Sequence, residues 1–123
     1  MTLQLDPKRP IYLQIMEEIK KRAARGEYTP GEQLPSVREM AKEVGVNPNT
    51  VARVYMELER EGFVVTRRGQ GTFVTEDTQR IEDERLNLAE GAVEQFVKEI
   101  RELALSDSRR KKIVGEIRKK LTT

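Results

Sequence analysis

The sequence predicts a mainly α-helical fold with one small β-hairpin, arranged as a head over residues 1–75 and a two-helix extension over residues 76–123. Three observations carry that prediction. Two short amphipathic segments, 36–44 and 48–61, are separated by only three residues. A basic stretch with glycines at its tip, Phe63 to Val74, follows at once. After a charged interval, apolar residues resume at alternating steps of four and three from Ala89.

Each element can be justified in order. Pro7 to Pro10 form a stiff lead-in. Ile11 to Arg25 reads as a helix with Tyr12, Ile15, Met16, Ile19 and Ala23 on one face, ended by Gly26. Pro30-Gly31 is a strong turn signal, and Leu34-Pro35 forces an extended residue before the next helix. Ser36 and Glu39 have capping-box spacing, in which the serine oxygen and the glutamate carboxylate each accept from the other residue's amide. Val37, Met40, Ala41 and Val44 then form an apolar stripe, and Gly45 sits where the helix must turn left-handed to stop. Asn47 caps the next helix, and Pro48 suits a first-turn position whose amide has no helical partner. Val51, Val54, Tyr55 and Leu58 make the second stripe, Val46 plugs the space between the helices, and Gly62 ends the second one. Phe63–Thr66 and Thr72–Val74 read as short strands around the turn Arg67 to Gly71.

A helix-turn-helix followed by a basic, glycine-tipped hairpin is a winged helix. That shape places a recognition helix, here 48–61, in the major groove of DNA, with the wing, here 67–71, on the minor groove or backbone beside it.

The boundary is expected at Thr75 to Glu84, a charged stretch with no core pattern until Leu86. Beyond it Ala89, Val93, Phe96, Ile100 and Leu103 line a coiled-coil or bundle seam of about two heptads, which one helix cannot bury alone. Ser106 to Ser108 breaks the pattern and caps a last helix with Ile113, Ile117 and Leu121 on one face.

Composition narrows the chemistry. The net charge is only +2, with 12 Lys+Arg against 10 Asp+Glu in residues 1–75 and 11 against 11 in the remainder. Any affinity for nucleic acid must therefore come from where the cations sit. There is no Cys, His or Trp, so disulfides, cysteine nucleophiles and histidine bases are excluded, and a zinc site would need carboxylates alone. No catalytic residue, metal ligand or cofactor is assigned. No apolar run approaches membrane-spanning length and Met1 to Asp6 lacks a signal-peptide core, so the expected location is the cytoplasm.

The candidate contacts follow from the winged-helix reading. Asn47, Asn49 and Thr50 stand at the N-terminal end of the recognition helix, the part that first meets base edges and phosphates. Asn49 suits adenine, and Arg53, one turn later on the face away from the apolar stripe, suits a guanine or a phosphate. Arg67, Arg68, Gly69 and Gln70 form the wing tip, and arginine favours a narrow minor groove where negative potential is focused. Thr72 can bond a phosphate or serve as a strand residue. The tail cluster Arg109 to Lys112, flanked by Asp107 and Glu116, reads as a solvated helix face rather than a nucleic-acid patch. The aromatic residues Tyr12, Tyr28, Tyr55, Phe63 and Phe73 read as core, and Phe96 as the anchor of the seam.

These residues also carry a resemblance. Pro30-Gly31-Glu32-Gln33-Leu34-Pro35-Ser36-Val37-Arg38-Glu39-Met40-Ala41, then Gly45 to Val51, Leu58 to Gly62 and Arg68 to Val74, resemble the DNA-binding head of GntR-type bacterial transcription regulators from about Ile11 to Val74. The short remainder resembles the small YtrA-like branch, in which a helical tail serves for dimerisation. The resemblance implies a repressor that binds a two-fold symmetric operator as a homodimer, with Arg38 contacting the operator. Many GntR heads place arginines at the first positions of the recognition helix. Pro48, Asn49 and Ala52 stand there instead, a form similar to that of the YtrA-like branch.

The competing reading is a winged-helix protein-interaction module without specific DNA binding. The basic wing and polar recognition face weigh against it. The tail is too short to enclose an effector within one protomer, although a groove in a dimer would have room for an unidentified small molecule.

Overall fold

Caps and stripes combine into the expected helices. The computed structural model describes residues 3–122. It contains α1 (Ile11–Ala24), α2 (Val37–Val44), α3 (Pro48–Arg60), β1 (Val64–Arg67), β2 (Gly71–Val74), α4 (Thr78–Glu102) and α5 (Asp107–Leu121). The capping box is formed in both directions, Glu39 N to Ser36 Oγ at 3.1 Å and Ser36 N to Glu39 Oε1 at 3.0 Å. Gly45 closes α2 at φ +81°, a conformation that penalises any residue with a Cβ. Asn47 caps α3 by accepting from Asn49 N at 2.8 Å. One compact unit ends at Leu88 and a second begins at Ala89.

The apolar faces of α1, α2 and α3 meet in the core of the first unit. Ile15, Ile19, Met40, Val51, Val54, Leu58 and Phe63 are fully buried there, closed on one side by Val64 and Val74 of the hairpin. Tyr55 is buried too, and its hydroxyl donates to the carbonyl of Pro35 at 2.7 Å. Burial pushes that phenol far above its ordinary pKa, so it stays a neutral donor. Tyr12, Tyr28 and Phe73, read as core, are only half-buried.

The hairpin differs from expectation by one residue on each side. Strand β1 reaches Arg67 and β2 starts at Gly71, in register with each other, so the tip is Arg68, Gly69 and Gln70. Gln70 N donates to Arg67 O at 2.9 Å, and Gly69 supplies the positive φ of +77° that so tight a turn requires.

Two further features lay outside the sequence pattern. Residues 31–34 run along the outer edge of β2 as a strap. Gly31 N donates to Val74 O at 3.0 Å, Val74 N to Glu32 O at 2.8 Å and Leu34 N to Thr72 O at 2.8 Å. Gln33 and Phe73 form the bridge between the two segments.

The charged stretch Thr75 to Glu84 is helical from Thr78, with Ile81 in the core and Glu84 buried. Asp77 starts this helix by accepting from Gln79 N at 3.0 Å. Several of the charges that made the stretch look like a linker are paired. Glu84 Oε1 lies 3.5 Å from Lys20 Nζ and 3.2 Å from Arg80 Nη1, and Lys20 also reaches Glu61 at 2.6 Å. Arg85 donates to the last carbonyl of α1, Ala24 O, at 2.6 Å. The first turns of α4 therefore belong to the same core as α1 and α3. Burying Glu84 without those two cations would leave an uncompensated charge.

The second unit has a different character. Ser106 caps α5 through Arg109 N at 3.4 Å, as its position suggests. Yet α5 buries no residue at all.

Candidate nucleic-acid interface

Helix α3 buries Val51, Val54, Tyr55 and Leu58. Its opposite face, Asn49, Ala52, Arg53, Met56 and Arg60, is exposed. That face mixes an amide, two guanidiniums and an apolar pair, the combination that reads base edges and thymine methyl groups. Met56 was not singled out by sequence reasoning. An exposed methionine on this face would have been visible from the helical period alone. Asn47 is exposed with its side chain committed to the cap, and Thr50 is half-buried. Arg38 lies exposed in the first turn of α2 and has no ion pair among the described residues.

Arg53 is held rather than dangling. Its guanidinium stacks on the ring of Tyr12, 3.6 Å from the centroid. Cation–π stacking occupies the guanidinium face and leaves its N–H edge available for hydrogen bonds. Tyr12 shares the apolar spacing of α1, which is why periodicity alone assigned it to the core.

The two wing arginines are not equivalent. Arg67 lies over the Phe73 ring, 4.8 Å from its centroid, and 3.8 Å from Glu76 Oε1. Arg68, at the tip, has neither an ion pair nor a ring partner among the described residues. Gly69 and Gln70 complete an exposed tip, while Thr72 is half-buried beside the strap, its carbonyl taken by Leu34 N. Gln33, missed by the sequence reading, donates from Nε2 to Gln70 O at 2.8 Å.

The model of the "Bacterial regulatory proteins, gntR family" matches residues 11–74, which is more than half of the chain and spans α1 to the end of the wing. The chain belongs to the gntR family. The relatives it matches are transcription regulators, a non-enzymatic class, and this chain is a DNA-binding transcription regulator of the small YtrA-like type. It is 48% identical over 106 residues to the HTH-type transcriptional regulator YhcF of Bacillus subtilis, covering 86% of this chain and 88% of that one. It is 39% identical over 105 residues to the HTH-type transcriptional repressor YtrA of the same organism, covering 84% and 76%.

Solved structures give the same fold. A GntR family transcriptional regulator from Listeria monocytogenes superposes with a TM-score of 0.82 at 37% identity, covering 94% of this chain and 98% of that one. The DNA-binding domain of AraR, solved in complex with operator ORX1, superposes with a TM-score of 0.56 at 28% identity, covering 61% and 95%. Among the described residues no helix is long and apolar enough to cross a membrane.

Proposed function

We propose that this GntR-family regulator works as a cytoplasmic homodimer that represses transcription from a two-fold symmetric operator. Each protomer inserts α3 in a major groove and sets its wing on the adjoining minor groove or backbone. The observation that carries the reading is the exposed face of α3, with Asn49 and the stacked Arg53, next in the chain to a wing whose tip arginine has no ion pair among the described residues. Asn49 and Arg53 read bases. Asn47, Thr50, Thr72, Arg38, Arg67, Arg68, Gly69 and Gln70 hold the phosphates and the groove wall. The operator complex of AraR, a structural neighbour, supports this mode. Repression draws support from YtrA, which is a repressor.

The tail supplies the second protomer. Val93, Phe96 and Leu103 are exposed, Ala89 is exposed and Ile100 is half-buried. Phe96, Val97, Ile100, Ile113, Val114 and Ile117, with Arg101 and Arg110, line a largely apolar groove of about 220 Å³ within the second unit. A second copy laid on this surface removes it from water, which favours association in proportion to apolar area. The same groove is where an effector would be held between protomers.

The test is selection of duplexes from a random-sequence pool by the intact protein, followed by affinity measurement at fixed salt. The proposal expects recovery of an inverted repeat. Recovery of no preferred sequence, with only salt-sensitive non-specific binding, would overturn it.

A further inference from the structure

We infer that Gln33 is a positioning residue for DNA binding: it fixes the wing tip, and with it Arg68, in the orientation that meets the duplex. The inference rests on the reading of the wing as a DNA contact. Three independent features of the strap support it. The side-chain amide of Gln33 donates to the carbonyl of Gln70 at 2.8 Å, at the tip itself. The Gln33 backbone bridges to Phe73, the ring on which Arg67 lies. Gly71 leaves the space through which the amide passes, since a Cβ built there would come within 2.5 Å of Gln33 Nε2.

The physical need is plain from the rest of the hairpin. The wing is two strands of four residues, and its tip is exposed. A short two-stranded ribbon is marginal alone and its tip explores many orientations. The strap's hydrogen bonds to β2, together with Glu59 Oε2, which accepts from Thr66 N at 2.9 Å, hold the strands. The bond from Gln33 extends that hold to the tip before DNA arrives, so less ordering entropy opposes binding. Gln33 is also one residue from Leu34, whose amide is bound to Thr72 O, and two from Pro35, whose carbonyl is bound by Tyr55 of α3. The strap thus ties the tip to the recognition helix through bonded residues only.

Gln33 is exposed and contributes nothing to the core, so substitution spares the fold. The experiment is a double-mutant cycle of Gln33→Met, which keeps the length but loses the donor, with Arg68→Ala. Affinity is measured on the duplex that the wild-type protein selects from a random pool, over a salt series, with thermal unfolding as the control. Gln33→Met is expected to weaken binding about two- to tenfold, the range one hydrogen bond supports, without moving the unfolding midpoint. The loss should vanish in the Arg68→Ala background, because the amide acts through that arginine. Gln33→Lys, which restores a donor of similar reach, should recover part of the affinity at high salt. If Arg68→Ala weakens binding but Gln33→Met does not, or if the two losses multiply, the positioning role is wrong. If Arg68→Ala itself changes neither affinity nor salt dependence, the wing reading fails and the inference goes with it.

Discussion

In the head, Ile15, Ile19, Met40, Val51, Val54, Leu58 and Phe63 have no solvent exposure, and even the charges of Glu84 and Lys20 are largely withdrawn from water. In the tail, Val93 is 60% exposed, Leu103 65% and Leu121 81%, and α5 buries nothing. Both regions are written in amphipathic helices, with side-chain caps at Ser36 and Asn47 in the head and at Ser106 in the tail, so local helix chemistry does not separate them. What separates them is where the apolar face goes. The head closes on itself, with three helices, a hairpin and the first turns of α4 around one core. The tail presents its stripe outward, which a chain in water tolerates poorly unless something covers it. The head therefore acts as a unit, and the exposed stripe of the tail is the surface that the proposed dimer would cover.

Substitutions can break that contrast from either side. The largest effect belongs to the head. Phe63→Ala empties a fully buried site and should cost about 3–5 kcal/mol, enough to unfold a head of this size, read as loss of the cooperative thermal transition. In the tail, Phe96→Glu should cost about 2–4 kcal/mol of association through lost burial and an unpaired charge, read by sedimentation as monomer with the head's transition retained. An unchanged dimer would remove this seam from the account.

The next effect concerns sequence choice. Arg53→Ala should cost about 1–3 kcal/mol on the selected duplex and relax preference at one base pair per half-site, with a much smaller loss on random DNA. The check is affinity for each single-base substitution at fixed salt; a uniform loss would make Arg53 a phosphate contact.

Smaller again is the difference between the wing arginines. Arg68→Ala should lower the slope of log affinity against log salt by about one unit, and Arg67→Ala by less, because Glu76 and Phe73 already engage Arg67. Equal changes at both positions would show that the tip is remodelled on DNA.

The smallest effect is one of pH. Backbone and hydroxyl hydrogen bonds from Ser36 hold the Glu39 carboxyl below its usual range. A depressed carboxylate stabilises the fold above its unfolded pKa and loses that contribution as pH falls. The difference in melting temperature between wild type and Glu39→Gln should therefore be present at neutral pH and shrink on acidification through the carboxylate range. A gap that widens on acidification would contradict the cap.

What could be read from the sequence follows the same division between local and distant partners. Ser36 with Glu39, Gly45 and Asn47 with Pro48 act within one turn, so α2 and α3 were legible to within a residue. The exposed positions Asn49 and Arg53 followed from the helical period. The start of α4 did not, because Ile81 is a lone apolar residue among charges whose partners, Lys20 and Glu61, lie far back in the chain. Asp77 was an available cap signal. The strap at 31–34 was hidden because its hydrogen bonds go to β2, some forty residues on. Arg53 on Tyr12 and Arg67 on Phe73 were hidden for the same reason. The candidate contacts were thus legible as exposed side chains, and the groups that support them were not.

One measurement bears directly on the division of labour between head and tail. Sedimentation of the intact protein, alone and bound to the duplex it selects, counts protomers in both states. The account predicts a dimer in solution and two protomers on one duplex carrying an inverted repeat. A monomer in solution that binds a single asymmetric site with full affinity would contradict it.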